Sequence, residues 1–422
     1  KKLAESGKIL EAIDILLSLE KQARTGSDMV STSRVLVAIV QICRAANDWP
    51  LLNEHIVMLT KRRSQLKQAV AKMIQECCTY VDEALSQDVR IQLIETLRQV
   101  TEGKIYVEVE RARLTHKLAL IHEKDGRIVD AANIMQDLQI ETYGSLDKVE
   151  KVELIMEQMR FCLAKHDFIR MQIISKKINT KFFDDPQYEE LKLKYYSLMI
   201  QLEQHEGSYL EACKHYRAVL NTPCVQKDAA RRHDVTRCVV SYAVLAPHDN
   251  EQWDLMHRIR AERILDDTPV YDQLLELFST SELITWTQFL AIFESELKNT
   301  EVFNDSQHGI RHWKDLKIRV IEHNIRVLAK YYTRIHLKRM SQLLDLSIEE
   351  TEEFLSKLVI GKSISAKTDR LSGIVHFTPH RDPNDVLNDW SSNLTALMQL
   401  VNKTTHSISK EQCVHQHLTT KA

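Results

Sequence analysis

A repeat of about 40 residues runs through roughly the first 260 positions of the chain. Three copies share a glycine that an alanine follows five positions later, namely Gly7 with Ala12, Gly126 with Ala131 and Gly207 with Ala212. Weaker copies have an aspartate in the glycine's place, so the series reads 7, 48, 88, 126, 167, 207 and 249. Glycine can adopt the positive φ at which one helix ends, and the small alanine lets the next helix pack closely. Since one helix pair cannot bury its own apolar stripe, the repeat predicts a stack of helix pairs.

Composition supports an all-α fold. The 422 residues include only 9 glycines and 7 prolines, against an average share of about 12% for the two together, which indicates long uninterrupted helices. Strand-like alternation is confined to residues 364–378. We therefore predict an all-α protein in which residues 1–297 form a right-handed α-solenoid of helix pairs, similar to tetratricopeptide or HEAT repeats. The alternative is an irregular helical bundle in which the spacing is accidental.

A winged-helix domain is predicted at residues 311–380, after a linker at 298–310 where helical periodicity is lost. Its first helix carries a mostly apolar stripe at steps of three and four residues. The stripe positions are Trp313, Leu316, Val320, Asn324, Val327, Tyr331 and Ile335. A short helix, an acidic helix and a small β-hairpin with strands at 364–367 and 373–377 complete the predicted domain.

The acidic helix occupies the position at which a DNA-binding winged helix would enter the major groove. It begins with Ser347 and Glu350, a capping box in which each side chain can bond to the backbone N–H of the other residue. Glu349, Glu352 and Glu353 add further negative charge. Since a groove bordered by phosphates repels such a surface, the helix favours protein partners.

Several runs resemble the winged-helix half of a PCI domain, which is shared by scaffold subunits of the proteasome lid, the signalosome and a translation initiation factor. These runs are residues 322–335, 338–346 and 367–374. Other runs resemble the proteasome-lid members of that family, namely IISKKINTKFF at 173–183, KLKYY at 192–196, QHEGSY at 204–209 and LVNKTTH at 400–406. The resemblance spans nearly the whole chain.

The resemblance implies a non-catalytic scaffold of the proteasome lid that acts in ubiquitin-dependent protein degradation. It implies contacts with other PCI-domain lid subunits, and it implies a deubiquitinase subunit, the ATPase ring and the core particle as further neighbours. The alternative with the same fold is a scaffold subunit of the signalosome. Eight cysteines without CxxC spacing indicate a reducing compartment, so we expect the protein in the cytoplasm and nucleus.

The strand that ends the hairpin, near residues 374–377, is predicted to present an exposed edge. Unpaired N–H and C=O groups on such an edge can pair with a neighbouring chain. The predicted contact residues are Arg370, Leu371, Ile374, Val375 and Phe377. The alternative is that Ile374 and Phe377 point into the core of the winged helix.

Residues 381–422 are predicted to form one long C-terminal helix. Its apolar residues recur in steps of three and four over about three heptads, which makes a narrow stripe suited to a partner helix. The predicted contact residues are Leu387, Trp390, Leu394, Leu397, Val401 and Ile408. The resemblance implies a bundle of C-terminal helices from several lid subunits. The alternative is packing against the chain's own domain.

Nucleic-acid binding is the main rival from another functional class. The net charge of −2 does not favour it, but residues 311–339 hold nine basic and two acidic side chains. A basic surface beside a winged helix can bind phosphates without reading sequence. The same surface can equally complement an acidic protein neighbour.

Catalytic and cofactor-binding motifs find little support. Residues 361–363 (GKS) copy the end of a phosphate-binding loop, but Ser356 stands where the first glycine is required, so we predict a helix end. Cys413, His415 and His417 lack a second cluster that would complete a zinc site. We predict no catalytic residue, cofactor or metal, and no apolar run is long enough to cross a membrane.

Overall fold

The structure, a computed structural model, describes residues 9–83, 86–262, 265, 267–377 and 383–419. Some predicted segments therefore lie partly outside the described residues. These parts include Gly7 of the repeat series, residues 378–382 and residues 420–422. The chain divides into two compact units between Val235 and Thr236. The predicted boundary at residue 297 lies inside the second unit.

The first unit is built of α-helices joined by short turns. Its helices are α1 (Ile9–Thr25), α2 (Met29–Ala45), α3 (Trp49–Lys61), α4 (Lys67–Glu83), α5 (Gln87–Thr101), α6 (Glu108–Lys124), α7 (Ile128–Gln136), α8 (Lys148–Ala164), α9 (Phe168–Ser175), α10 (Glu189–Glu206), α11 (Tyr209–Leu220) and α12 (Pro223–Lys227). Short 3-10 turns lie at Ile105–Val107, Ile140–Thr142, Thr180–Asp184 and Pro186–Tyr188. Helices that are two apart in the chain, such as α2 with α4 and α3 with α5, pack against each other. This packing is the arrangement that a stack of helix pairs requires, so the predicted helical solenoid is confirmed.

The turns within the helix pairs depend on residues with positive φ. Gly126 adopts φ 78°, as the repeat predicts. In two copies without glycine, Asn47 (φ 56°) and His166 (φ 62°) take this conformation instead. Asp48 and Asp167 come one residue later, and their side chains cap the helix that follows. The aspartates therefore do not replace the glycine but supply the next residue of the same turn.

The core of the first unit contains the small residues of the repeat. Ala131 and Ala212 are buried, which confirms the close helix packing predicted for them. Glu20 is fully buried in this core, where its carboxylate accepts hydrogen bonds from Arg24 at 3.1 Å and from Arg62 at 2.5 Å. Two cations thus balance the charge of Glu20 inside the unit.

The second unit contains the winged helix. The division between the units falls within α13 (Ala229–Leu245), and the elements that follow are α14 (Asn250–Arg260), α15 (Pro269–Ser279), α16 (Trp286–Lys298), α17 (Gln307–Tyr331), β1 (Arg334–His336), α18 (Leu337–Leu344), α19 (Ile348–Ile360), β2 (Ala366–Asp369), β3 (Ile374–Phe377) and α20 (Pro383–Thr419). The order from α17 to β3 is that of a winged helix, and α20 is the predicted long C-terminal helix. No helix in the described ranges has the length and apolar character needed to cross a membrane.

Of residues 298–310, predicted as a linker, the first belongs to α16, the last four belong to α17, and the residues between the two helices are packed against α17. Val302 and Phe303 are buried in a 3-10 turn. His312 Nδ1 lies 2.7 Å from the carbonyl oxygen of Val302, and Trp313 Nε1 donates to that of Phe303 at 3.2 Å. Most polar residues of this segment are exposed, Thr300 is buried and donates to the carbonyl of Leu297, and two apolar side chains fix the segment to the domain.

The winged helix has a three-stranded antiparallel sheet in the order β1–β3–β2. Strand β3 is central, because Val375 lies opposite Ile335 on one side and opposite Thr368 on the other. The spacing of apolar residues predicts a helix through Ile335, but α17 ends at Tyr331 and Ile335 lies in a strand. The predicted free edge on β3 is therefore wrong, since β1 occupies it.

Candidate protein-interaction site

The apolar stripe of α20 is exposed to solvent. The exposed fractions of the six predicted contact residues range from 43% at Leu394 to 63% at Trp390. The stripe does not pack back on the chain's own domain, which was the alternative prediction. Sequence reasoning missed four further exposed apolar side chains on this helix, namely Val386, Met398, Leu400 and Val414. An apolar surface of this length marks a site for a partner.

The loop between β2 and β3 presents one fully exposed apolar side chain, Leu371. The carboxylate of Asp369 accepts hydrogen bonds from the N–H of Leu371 at 3.0 Å and from the hydroxyl of Ser372 at 2.8 Å. The bonds from Ser372 and Leu371 hold the pKa of Asp369 below its usual value. Arg370, also exposed, donates to Glu352 at 2.6 Å. The loop is thus held in one conformation by its own side chains, and the contact roles of Arg370 and Leu371 stay predictions.

The other predicted contact residues of the wing divide between two faces of the sheet. Val375 and Phe377 are buried in the core of the winged helix, together with Ile335 and Met340. The prediction that these two residues contact a partner is wrong, because their side chains lie inside the domain. Ile374 is half-buried and lies on the opposite face. The open edges of the sheet belong to β1 and β2.

The basic residues of the segment 311–339 do not form one free patch. Arg311 pairs with Asp315 at 3.9 Å, and Arg319 pairs with Glu322 at 2.5 Å. Arg326 is half-buried, and burial lowers its pKa to about 10. Three of the nine basic side chains are thus paired or half-buried, which weakens the case for nucleic-acid binding along this helix.

The candidate chemical motifs have structural explanations. Gly361 caps the C-terminus of α19, as predicted, and Lys362 follows with φ 57°. Across the described residues no three His, Cys, Asp or Glu side chains come together as a metal site would require. The side chain of His417, one of the tail residues considered for zinc, lies outside the description.

Models of three protein families match successive parts of the chain. Their descriptions are PSMD12/CSN4, N-terminal, at residues 11–228, PCI domain at 290–379, and 26S proteasome regulatory subunit RPN5 C-terminal domain at 384–416. The first match covers the helical repeats, the second covers the winged helix, and the third coincides with α20.

Full-length relatives agree with these matches. The 26S proteasome non-ATPase regulatory subunit 12 of Dictyostelium discoideum is 42% identical over 416 residues, which cover 99% of this chain and 92% of the relative. Homolog A of the same subunit in Arabidopsis thaliana is 42% identical over 437 residues, or 98% of this chain and 99% of the relative. The COP9 signalosome complex subunit 4 of Drosophila melanogaster is 21% identical over 386 residues, or 91% and 87%, so the signalosome alternative is more distant. The chain belongs to the family of 26S proteasome non-ATPase regulatory subunit 12.

Proposed function

We propose that the chain is a non-catalytic structural subunit of the 26S proteasome lid, in the cytoplasm and nucleus, that holds neighbouring subunits in position during ubiquitin-dependent protein degradation. The full-length similarity to regulatory subunits of the proteasome supports this function. The exposed stripe of α20 is the observation that carries it, because a single chain gains nothing from a 37-residue helix with an uncovered apolar face.

The partner proposed for α20 is a bundle of helices from other lid subunits. Fully burying a Leu, Val or Ile side chain stabilises by about 1.5–3 kcal/mol. Six stripe residues start at 43–63% exposure, so covering them supplies a large part of the association energy. The steps of three and four residues suit knobs-into-holes packing against helices that run alongside.

The wing supplies a second proposed contact with a neighbouring PCI domain. Among the residues that the structure describes, no strand lies beside the outer edge of β2, and Leu371 projects from the loop that follows. An extended segment can add to such an edge through backbone hydrogen bonds, and a pocket for Leu371 would fix its position. The deubiquitinase subunit, the ATPase ring and the core particle are the further neighbours proposed for the assembled lid.

The function is tested by purifying the tagged full chain from cells with the subunits that bind it. The double variant Trp390→Asp/Leu397→Asp should lose its lid partners, because each carboxylate would be buried in the helix bundle. Its thermal unfolding should match the wild type, since both side chains are exposed in the single chain. The matched control is Ser392→Asp/Gln399→Asp, which adds the same charge on the opposite side of α20 and should keep the partners.

Two results count against the proposal. The variant Trp390→Asp/Leu397→Asp could recover lid subunits as well as the wild type does, which would show that the stripe of α20 does not contact them. Mass spectrometry could also identify signalosome subunits without proteasome ATPases, which would assign the chain to the signalosome instead of the proteasome lid.

A further inference from the structure

One face of the winged-helix sheet carries a row of basic side chains. Ile335 and Val375 are buried, so their neighbours along each strand lie on the outer face. On that face the register places His376 of β3 opposite both Arg334 of β1 and Lys367 of β2. Three basic side chains thus lie side by side across three strands, about 5 Å apart from strand to strand.

The row continues into a groove beside β1. His336, two residues after Arg334 and on the same face, lines a groove of 640 Å³ together with Lys338 and Arg370. We call these six residues the basic sheet face, which is formed by Arg334, His336, Lys338, Lys367, Arg370 and His376.

The negative charge on this surface is small and already engaged. Glu352, which lines the groove, accepts a hydrogen bond from Arg370, and Asp369 accepts bonds from its own loop. Arg334, Lys338 and Lys367 have no ion pair among the residues that the structure describes. Arg334 and Lys367 lie on either side of His376 in the sheet, so their mutual repulsion across two strand spacings is a small cost to the isolated domain. Carboxylates from another molecule would offset that cost.

We propose that the basic sheet face binds an acidic segment of a partner protein, rich in Asp and Glu and carrying at least one apolar side chain. The inference rests on the proposed function only in that the partner is expected to be a subunit of the same assembly. Apolar contacts are available at Ile348, which is 44% exposed in the groove, and at half-buried Ile374 in the middle of the sheet face. A protein segment can use both kinds of contact.

A nucleic-acid backbone fits this surface less well. The acidic helix α19 forms a wall of the groove through Ile348 and Glu352. The carboxylates of that helix repel phosphates and acidic side chains alike, so the apolar contacts decide between the two kinds of ligand. A peptide can place its carboxylates on the cations and its apolar side chain on Ile348.

The proposal is tested on the purified full chain by fluorescence anisotropy with two probes. One is a labelled peptide of alternating Glu, Asp and Leu residues, and the other is a labelled single-stranded RNA oligonucleotide. We expect salt-sensitive binding of the peptide that Arg334→Glu weakens by about tenfold. Lys72→Glu, which makes the same change in net charge at an exposed position of the first unit, should leave binding unchanged. The proposal would be overturned if the wild type did not bind the peptide or if Arg334→Glu bound it as tightly as the wild type does. Tighter binding of the RNA than of the peptide would also overturn it.

A second measurement uses the assembled complex. A zero-length carbodiimide reagent joins lysines to carboxylates in direct contact, so Lys338 and Lys367 should be joined to Asp or Glu of another chain. These crosslinks should be lost in Arg334→Glu and kept in Lys72→Glu. If α20 is crosslinked to other subunits while both lysines are not, the proposed binding of an acidic segment to the basic sheet face is refuted. The proposed function is not affected by that result. If peptide binding is lost in Arg334→Glu but no lid subunit is recovered with the chain, the proposed function is refuted. The proposed binding of an acidic segment to the basic sheet face is then still supported.

Discussion

At the scale of the residue, Asn324 joins two segments of the second unit. This side chain on α17 is 3% exposed. Its Oδ1 accepts from the N–H of Ile284, and its Nδ2 donates to the carbonyl of the same residue, both at 2.8 Å. We expect Asn324→Ala to lower the free energy of unfolding by about 1–3 kcal/mol for each backbone group left unpaired. Urea unfolding followed by circular dichroism measures this, and a midpoint no lower than that of the exposed-site control Asn393→Ala would contradict it.

Gly309 is a second residue whose importance comes from geometry. A Cβ at this position would lie 1.8 Å from the carbonyl oxygen of Asn304, so alanine cannot be accepted unless the backbone moves. We expect Gly309→Ala to destabilise the second unit by about 1–3 kcal/mol. Thermal unfolding provides the measurement. Gly144→Ala is the control, because a Cβ there meets nothing within 4 Å, and equal melting temperatures for the two variants would refute the explanation.

At the scale of the element, recurring signals were predictable and a short strand was not. The helix pairs follow from turns that repeat along the chain, and α20 follows from one continuous apolar spacing. Strand β1 has only three residues, and Ile335 continues the four-residue spacing of Val327 and Tyr331, so the sequence predicts more helix there. Missing this strand led directly to the wrong assignment of β3 as an edge. Local spacing cannot show that a segment pairs with residues 40 positions away.

The central position of β3 predicts that Phe377 contributes to stability and that Leu371, in the adjoining loop, does not. Phe377 lies in the core, so Phe377→Ala should cost about 3–5 kcal/mol of stability. Leu371 lies at the exposed loop tip, so Leu371→Ala should stay within about 0.5 kcal/mol of the wild type. Urea midpoints of the two variants make the comparison. Similar midpoints would mean that the core does not depend on Phe377.

At the scale of the whole molecule, one of the two candidate sites can be predicted from the sequence and the other cannot. The stripe of α20 lies on one helix, so its spacing along the chain is enough to predict it. The basic sheet face combines residues from the segments 334–338, 367–370 and 376, which meet only when three strands pair. The stretch 311–339 therefore contains only half of this face, namely Arg334, His336 and Lys338, because Lys367, Arg370 and His376 lie outside it.

Buried histidines in both units make the stability of the molecule depend on pH. Burial lowers the pKa of four of them, namely His55, His122, His312 and His323. The value for His323 falls from 6.5 to about 4. His323 therefore stays neutral in the folded protein down to about pH 4, while the unfolded chain takes up protons below about pH 6.5, and the pKa values of the other three are shifted in the same direction. The contribution to stability is therefore complete above pH 6.5 and is lost as the pH falls from 6.5 towards 4.

We expect a lower urea midpoint at pH 5 than at pH 7.5. Hydrogen bonds from arginines lower the pKa values of Glu123 and Glu150, so both stay ionised at pH 5 in the folded protein, whereas burial raises the pKa of Glu203 and acts against the trend. His323→Gln should reduce the difference between the two midpoints, since a neutral amide replaces an imidazole that lies 3.1 Å from the carbonyl oxygen of Glu282. If His323→Gln and the wild type lose equal stability between the two pH values, His323 is not a source of the pH dependence.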